Sequence, residues 1–194
     1  NACILHYNEN NKLLNDGDLL LIDAGCEILG YASDITRTFP VNGRFSPPQK
    51  EIYEIVLDAQ KQAIASIMPG EDVNKPHEIV CEIITRGLMK LGIMEDVSNL
   101  REFYMHGTGH WLGLDVHDVG TKESGNLFRE FQVGMVTTVE PGIYIRKDDK
   151  IDPKYWNIGI RIEDDVLVTI DGNHVLSAAA IKNIDDIELL MSHR

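Results

Sequence analysis

The stretch YMHGTGHWLGLDVHD, residues 104–118, brings three histidines, His106, His110 and His117, into twelve positions among glycines and apolar residues. A neutral imidazole is a good ligand for divalent transition metals, and glycines let the backbone approach a ligand closely. The stretch therefore predicts one wall of a metal site. Histidines in a polar loop also occur on surfaces, so carboxylates elsewhere in the chain must decide between the two interpretations.

The segment DGDLLLIDAGCEILGYASDITRTFPV, residues 16–41, predicts a β-hairpin. An apolar run at 19–22 is followed by a turn region at 25–30 and by an alternating return strand. Asp23 and Asp34 interrupt these strands. An aspartate is disfavoured in an apolar strand and costly to bury, so two of them in one hairpin indicate a shared partner. Turn capping is the alternative for Asp34, which follows a serine.

Two amphipathic helices are predicted next. The first begins after Ser46, the candidate N-cap, and ends before Pro69-Gly70. The second begins near Asn74 and ends at Gly92. Their apolar residues recur at three- and four-residue steps, which predicts a buried face on each helix. The inward residues of this prediction are Ile52, Ile55, Val56, Ala59, Ala63, Ile64 and Ile67 on the first helix and Ile79, Ile83 and Leu88 on the second, with His77 on the surface.

The last third of the chain is rich in strand signals. Glu140 ends the apolar run of GMVTTVEPGIYI, residues 134–145, just before a Pro-Gly turn that does not itself require a glutamate. In IGIRIEDDVLVTIDGNHVL, residues 158–176, alternation places Arg161 and Glu163 on one face, with a hairpin turn at Asp171-Gly172. Arg161 is thus placed to orient Glu163, although a surface ion pair is the alternative. Residues 184–194 predict a short amphipathic helix.

Composition excludes several classes. The chain has 194 residues with 43% hydrophobic content, enough for the core of one domain, 1–194. Its net charge of -13 excludes nucleic acid as a partner, and no apolar run is long enough to predict a membrane span or a secretory signal. Three widely spaced cysteines predict a reducing, cytoplasmic setting. The start without methionine inside an apolar segment suggests a longer protein.

Five polar residues need a common explanation. Four are carboxylates and one is an imidazole, and this oxygen-rich set suits two divalent cations such as manganese, cobalt or zinc better than a structural zinc site. A pair of such ions activates water for attack on a carbonyl, so the set predicts hydrolysis. The five predicted metal ligands are Asp23, Asp34, His110, Glu140 and Glu163.

Five motifs, IDAG, SDITRTFP, HGTGHWLGLDVHD, TVEPGIY and GIRIEDD, resemble the pita-bread metallopeptidases, and within them the aminopeptidase P family of Xaa-Pro aminopeptidases. The resemblance implies an α+β fold with two similar halves, a curved, mainly antiparallel sheet and outer helices. It also implies that the first half is incomplete here and that a separate amino-terminal domain precedes it. The expected activity is release of the residue before a penultimate proline, by a homo-oligomer when full length and with manganese favoured over cobalt or zinc.

The same resemblance assigns roles. Asp23 binds one ion, Asp34 and Glu163 bridge both, and His110 and Glu140 complete the other. Glu140 is also the expected general base. His106 is expected to line the substrate pocket, and His117 and His6 to contact the substrate or its tetrahedral intermediate. Arg161 matches an arginine that supports the ligands and that pairs, in the family, with an acid of the amino-terminal domain.

Three alternatives remain at this point. Prolidase, which cleaves Xaa-Pro dipeptides, shares nearly every motif and is the second interpretation. Methionine aminopeptidases carry a Q-x-E motif where this chain has Arg161-Ile162-Glu163, which makes them a distant third. A metal-free binding protein of the same fold is expected to have lost ligands, whereas all five positions are filled here.

Overall fold

The computed structural model describes residues 2–124 and 127–192. Helices and strands alternate in blocks, and two short 3₁₀ turns lie at Val97–Asn99 and Pro153–Tyr155. The strands are β1 (Leu19–Ala24), β2 (Glu27–Ile28), β3 (Tyr31–Ala32), β4 (Ile35–Pro40), β5 (Glu123–Ser124), β6 (Leu127–Phe128), β7 (Val136–Val139), β8 (Gly142–Ile145), β9 (Ile158–Arg161), β10 (Asp164–Thr169) and β11 (Gly172–Val175). The helices are α1 (Pro47–Ala65), α2 (Lys75–Lys90), α3 (Leu100–Phe103) and α4 (Ile184–Met191).

The predicted first hairpin is confirmed. β1 and β4 pair antiparallel, and the ladder runs from Leu19 opposite Pro40 to Ala24 opposite Ile35. The connection between them contains a second, smaller hairpin, in which β2 pairs with β3. Asp23 lies within this ladder, and Asp34 immediately precedes it.

The two predicted helices are also confirmed, and they pack against each other. Ser46 and Gln49 form a capping box at the start of α1, and Gly92 adopts a positive φ of 67° just beyond α2. Most predicted inward residues are buried, but Ile55 and Ile79 are only partly so. Ile55 lies directly against Gly87 of α2, where an added Cβ would be 2.8 Å from it, so this position lies in the helix–helix contact.

His77 was predicted on the surface, and this prediction is wrong. Its side chain is half-buried at the first turn of α2, where Nδ1 lies 2.8 Å from Thr108 Oγ1. Helical periodicity does not reveal this contact, because Thr108 belongs to the histidine-rich loop rather than to the helix.

The last third of the chain forms two small sheets. β7, β10 and β11 make one antiparallel sheet with β10 in the centre, and β8 pairs with β9 in another. The hairpin turn at Asp171-Gly172 is confirmed, since Thr169 pairs with Gly172. The predicted single strand from residue 158 onward is interrupted at Ile162 and Glu163, and residues 158–166 are buried without alternation. Burial on both sides removes the polar face that a half-exposed strand would show.

The apolar core joins α1, α2 and the sheets. Fully buried members include Ile52, Tyr53 and Val56 from α1, which pack with Ile143 and Ile160 from β8 and β9. This layer of helix on sheet holds β4 and residues 161–165 together at the end of the core, where the carboxylates meet. Within the described residues, none of the helices combines the length and apolarity required to cross a bilayer.

Candidate metal centre

The first two predicted ligands come from the β1–β4 hairpin. Asp23 sits opposite Thr36 near the end of β1, and Asp34 precedes β4. The Asp23 side chain is 40% exposed and that of Asp34 is 12% exposed, so both carboxylates face an opening rather than the core. The hairpin thus presents two oxygen donors side by side.

The histidine-rich loop brings His110 beside Glu140. The loop runs along β7, with Thr138 N–H donating to His110 O at 2.9 Å and Glu140 N–H donating to Thr108 O at 2.7 Å. A Cβ on Gly109 would lie 1.9 Å from Thr138 O, so only glycine allows this approach. As a result His110 Nε2 lies 3.8 Å from Glu140 Oε1 and 3.5 Å from Asp34 Oδ2.

Glu163 lies in the short link between β9 and β10 and is buried. Its Oε2 accepts a hydrogen bond of 2.7 Å from Thr36 Oγ1, and its N–H donates to Thr36 O at 3.0 Å. Strand β4 therefore fixes the carboxylate and the backbone of Glu163 at once.

The five predicted ligands form two triads that share one residue. Donor atoms of His110, Glu140 and Glu163 lie within 4.8 Å of one another, and so do those of Asp23, Asp34 and Glu163. A third triad under the same limit joins Asp34, His110 and His117. The donor set is one or two imidazoles among four carboxylates, which fits two divalent transition-metal ions held side by side.

The charge distribution explains why this cluster needs cations. Burial, reinforced by repulsion from Glu140 and Asp34, raises the pKa of Glu163 to about 9. Burial also raises the pKa of Glu140 to about 7, although His110 and Arg161 act in the opposite direction. Burial alone would lower the pKa of His110, but its contact with Asp34 raises it. The raised pKa values of Glu140 and Glu163 indicate that the protein supplies too few positive groups to balance the carboxylates of this cluster.

All nine predicted site residues line one cavity of about 220 Å³, together with Leu5. His6 reaches this cavity from the start of the chain, and His117 reaches it from the end of the histidine-rich loop. The ring of His117 meets that of His110 edge-on, with centroids 4.2 Å apart. The structure thus brings all the predicted residues together, including two that lie more than a hundred residues apart in the sequence.

His106 is held by two hydrogen bonds. Its Nδ1 lies 2.8 Å from Gly107 O and its Nε2 lies 2.8 Å from Tyr144 Oη. The carbonyl can only accept, so Nδ1 carries the proton and Nε2 accepts from the tyrosine. Burial lowers the pKa of His106 to about 4, which keeps the ring neutral. Both nitrogens are engaged, so contact with a substrate would use the ring itself.

Arg161 pairs with an acid within the described part of this chain, and the expected further partner in a separate domain stays a prediction. Its Nη2 donates to Asp23 Oδ2 at 2.6 Å, its Nε to Thr36 Oγ1 at 3.2 Å, and its Nη1 to Tyr144 Oη at 3.2 Å. Arg161 therefore contacts Glu163 only through Thr36. Its predicted effect on the orientation of Glu163 would act through Thr36 Oγ1, and the carboxylate that it contacts directly is that of Asp23.

Sequence reasoning missed three residues that hold the site. Thr36 bonds Glu163, Tyr144 joins His106 to Arg161, and Asp165 accepts from the backbone of Asp34. Only Asp165 left a signal, because it belongs to three consecutive acids in an otherwise apolar segment. Thr36 and Tyr144 are ordinary strand residues by type, and only their distant contacts distinguish them.

Comparison with known proteins gives a consistent result. Residues 1–170 match the metallopeptidase family M24. The chain is 57% identical to an Xaa-Pro aminopeptidase of Haemophilus influenzae, covering 99% of this chain and 46% of that protein. It is 45% identical to Xaa-Pro aminopeptidase 3 of Homo sapiens, covering 97% of this chain and 38% of that protein. The chain thus spans about half the length, or less, of these curated relatives.

Solved structures agree with the sequence relatives. The aminopeptidase PepP of Pseudomonas aeruginosa superimposes with a TM-score of 0.96 at 54% identity, covering 100% of this chain and 46% of that one. An aminopeptidase P of Escherichia coli with the inhibitor Pro-Leu superimposes with a TM-score of 0.94 at 50% identity, covering 100% and 45%. The expected α+β pita-bread fold and the resemblance to the aminopeptidase P family are therefore confirmed.

Proposed function

Because this chain belongs to metallopeptidase family M24, we propose that it carries the metal centre of a dinuclear aminopeptidase that releases the N-terminal residue from peptides with proline in second position. One observation carries the proposal: all predicted ligands and substrate-contacting histidines line one cavity, in which two donor triads share Glu163. The fold alone would not suffice, since one fold hosts many activities.

The proposed ligand assignment follows the two triads. His110 and Glu140 would hold one ion, Asp23 the other, and Glu163 both. A bridging role for Asp34 is supported by its membership of the Asp23 triad and by its oxygen 3.5 Å from His110 Nε2. When bound, two divalent ions would polarise the substrate carbonyl and activate water for attack on it. Manganese is the proposed metal, with cobalt and zinc as alternatives, because oxygen donors predominate.

Glu140 is proposed as the general base. It stands where β7 ends, between His110 and His106, with Oε2 3.8 Å from His106 Nδ1. Its carboxylate lines the same cavity as the other predicted ligands, where a water held by the ions would lie within its reach. Glu140 would therefore accept a proton from the attacking water and deliver it towards the leaving proline nitrogen.

The three remaining histidines are proposed to bind the substrate. His117 and His6 are exposed at the mouth of the cavity, where they can reach a peptide that enters from solvent. His106 lies deeper, and its neutral ring would form one wall for the proline side chain. We propose that the peptide continues from the proline towards solvent.

The substrate class rests on the relatives. Proteins named Xaa-Pro aminopeptidase match the chain almost end to end, and an aminopeptidase P neighbour was solved with Pro-Leu. Pro-Leu begins with proline, as does the peptide that remains after an Xaa-Pro bond is cut. We therefore propose peptides with a penultimate proline as the substrates.

The proposed setting is the cytoplasm, as part of a homo-oligomer. Cys3, Cys26 and Cys81 are free thiols in the described part of the chain, which fits a reducing compartment. The acidic net charge of -13 disfavours nucleic acid as a partner. Measurement of the molecular mass in solution, under reducing conditions, tests whether the protein is a homo-oligomer.

The decisive test compares Ala-Pro with Ala-Pro-Ala on the intact protein loaded with manganese. Cleavage of the tripeptide with clearly higher kcat/KM is expected, because the chain matches proteins named Xaa-Pro aminopeptidase along nearly its whole length. Ala-Ala-Ala serves as the control for proline selectivity. A clear preference for the dipeptide would replace the proposal with prolidase activity, and absence of cleavage of any of the three by metal-loaded protein would refute it.

A further inference from the structure

We infer that Asp165 and Asp164, the two acids that follow Glu163, are positioning residues that fix the spacing of the two bridging carboxylates. Asp165 acts on the backbone of Asp34, and Asp164 acts through Arg37 on the backbone of Glu163. This inference rests on the proposed dinuclear centre, and it assigns a function to two residues that belong to none of the three donor triads and do not line the cavity.

The first arm of this arrangement supports Asp34. The β1–β4 ladder ends at the pair Ala24–Ile35, so it supplies no acceptor for the N–H of Asp34, one residue earlier. Both carboxylate oxygens of Asp165 accept from that N–H, at 3.3 and 3.2 Å. Asp165 is 3% exposed, and its own N–H donates to Ser177 Oγ at 3.1 Å. A buried and anchored acceptor therefore sets where Asp34 leaves the strand.

The second arm supports Glu163. Arg37 donates from Nη1 to Glu163 O at 2.6 Å and to Thr36 O at 2.9 Å. Its Nη2 pairs with Asp164 Oδ1 at 2.7 Å, and both side chains are buried. The guanidinium is thus fixed by Asp164 on one side and holds the carbonyl of Glu163 on the other. Planar arginine with several donors suits this double contact.

The two arms meet at one hydroxyl. Ser177 Oγ accepts from Asp165 N–H and donates to Asp164 Oδ1 at 2.6 Å. Because consecutive side chains on a strand point to opposite faces, neighbouring aspartates can reach two different partners from one short segment. Asp34 and Arg37 are thereby tied to the start of β10 through Asp165 and Asp164, the two acids that follow Glu163.

Packing of β4 against β10 does not by itself require two buried aspartates. A strand neighbour needs only main-chain contacts, and one already exists between Glu163 N–H and Thr36 O at 3.0 Å. Buried carboxylates are costly unless their acceptors are used, and here Asp165 is directed at the backbone of Asp34 while Oδ1 of Asp164 is directed at Arg37, which holds Glu163. The arrangement therefore favours a role in ligand spacing, since two ions with shared ligands tolerate little error in that spacing.

The test uses two variants at one position in the intact protein. Asp165→Ala removes the acceptor for Asp34 N–H, whereas Asp165→Asn keeps one oxygen that can still accept. Affinity for the second Mn²⁺ is measured by calorimetric titration, and exchange coupling between the two ions by EPR spectroscopy. We expect Asp165→Ala to lower the affinity for the second ion by about 10- to 100-fold and to alter the exchange coupling. Asp165→Asn should keep that affinity within about 3-fold of the wild-type value.

The controls separate positioning from general damage. Asp171→Ala removes an exposed acid in the β10–β11 turn and should bind both ions as wild type does. If circular dichroism shows that Asp165→Ala does not fold, Ser177→Ala replaces it. Ser177→Ala should lower the affinity for the second ion by about 3- to 10-fold. In that case, wild-type affinity in Ser177→Ala overturns the inference.

Two results with folded protein would also overturn it. One is Asp165→Ala with wild-type affinity and coupling. The other is an equal loss in Asp165→Asn and Asp165→Ala, which would assign the effect to the negative charge instead of the acceptor. The proposed function is judged separately: wild-type protein that binds two ions but cleaves no Xaa-Pro peptide refutes the activity, while the metal readouts still decide the inference.

Discussion

Glu163 and Asp164 are adjacent in the sequence and both are buried, yet their surroundings are opposite. Burial and two neighbouring carboxylates raise the pKa of Glu163 to about 9. Burial acts on Asp164 in the same sense, but Arg37 and Lys182 beside it hold its pKa below the usual value. Lys182 Nζ lies 2.6 Å from Asp164 Oδ2, and Gln60 donates to the same oxygen at 2.7 Å.

The difference distinguishes a structural acid from a ligand. Asp164 receives its counter-charges from this chain, so its cluster is complete without any addition. The cluster around Glu163 has four carboxylates and, apart from Arg161 at Asp23, no strong cation against them among the described contacts. A buried charge without a partner is expensive, so the second cluster fits a site that metal ions complete.

The largest expected effect is that of metal removal. Prolonged chelation of the intact enzyme should abolish cleavage of Ala-Pro-Ala, because the Glu163 cluster loses its cations, and manganese should restore it best. Elemental analysis of the reloaded enzyme should return about two divalent ions per chain. A stoichiometry that stays at one under saturating metal would contradict the bridging assignment of Asp34 and Glu163.

Glu140→Gln should lower kcat by a factor of about a hundred to ten thousand, since a general base contributes about that much. The amide keeps the shape and one oxygen but cannot accept the proton. Metal content must be measured in parallel, because loss of an ion would have the same effect on turnover. Near-normal turnover with both ions bound would place the base elsewhere.

Asp164→Asn and Glu163→Gln form a matched pair for stability without metal. Asp164→Asn leaves Arg37 and Lys182 without a countercharge and should lower the free energy of unfolding by about 3 kcal/mol, a typical cost for breaking a buried pair. Glu163→Gln removes an acid that accepts a hydrogen bond from Thr36 but has no countercharge, and it should leave that free energy unchanged or higher. Chemical denaturation of both variants with chelator present measures this, and equal losses would show that the two clusters do not differ as described.

The smallest expected effect is a pH dependence of the metal-free protein. The raised pKa means that folded Glu163 holds its proton up to about pH 9, whereas the unfolded chain releases it near the usual glutamate pKa of 4.5. Stability should therefore fall as pH rises, by on the order of 2 kcal/mol between pH 7 and pH 9. Denaturation at pH 7, 8 and 9 measures it.

Glu163→Gln is the control for this slope and should flatten it. Saturating manganese should flatten it as well, since an ion replaces the proton. A slope that persists in Glu163→Gln would mean that other groups, such as Glu140, whose pKa is about 7, or His110, dominate the titration.

Much of the fold was predictable because its signals are local. The β1–β4 hairpin, α1, α2, the β10–β11 turn and α4 follow from periodicity, caps and turn residues that lie within a few positions of one another. The wrong predictions concern residues whose environment depends on contacts between distant parts of the chain. His77 is half-buried because a loop thirty-one residues away reaches it, and the strand from residue 158 is interrupted where Glu163 must meet Thr36.

The four predicted carboxylate ligands shared a single local signal, a polar residue placed where an apolar strand or turn did not require one. That signal identified Asp23, Asp34, Glu140 and Glu163 as residues in need of a partner, and the motifs indicated the chemistry. It did not reveal Thr36 or Tyr144, whose types are usual in strands. Nor did it assign Arg161 to Asp23, because that pair is separated by 138 residues.

The sequence by itself therefore determined the kinds of element and the family, and it predicted the metal-binding side chains that the structure brings into one cavity. Tertiary structure alone decided that two donor triads share Glu163, that Arg161 pairs with Asp23, and that Asp164 and Asp165 reach different partners. The physical reason is that propensity and periodicity act over a few residues. Distances between carboxylates and their partners instead depend on how β4 packs against residues 161–165, more than a hundred positions along the chain.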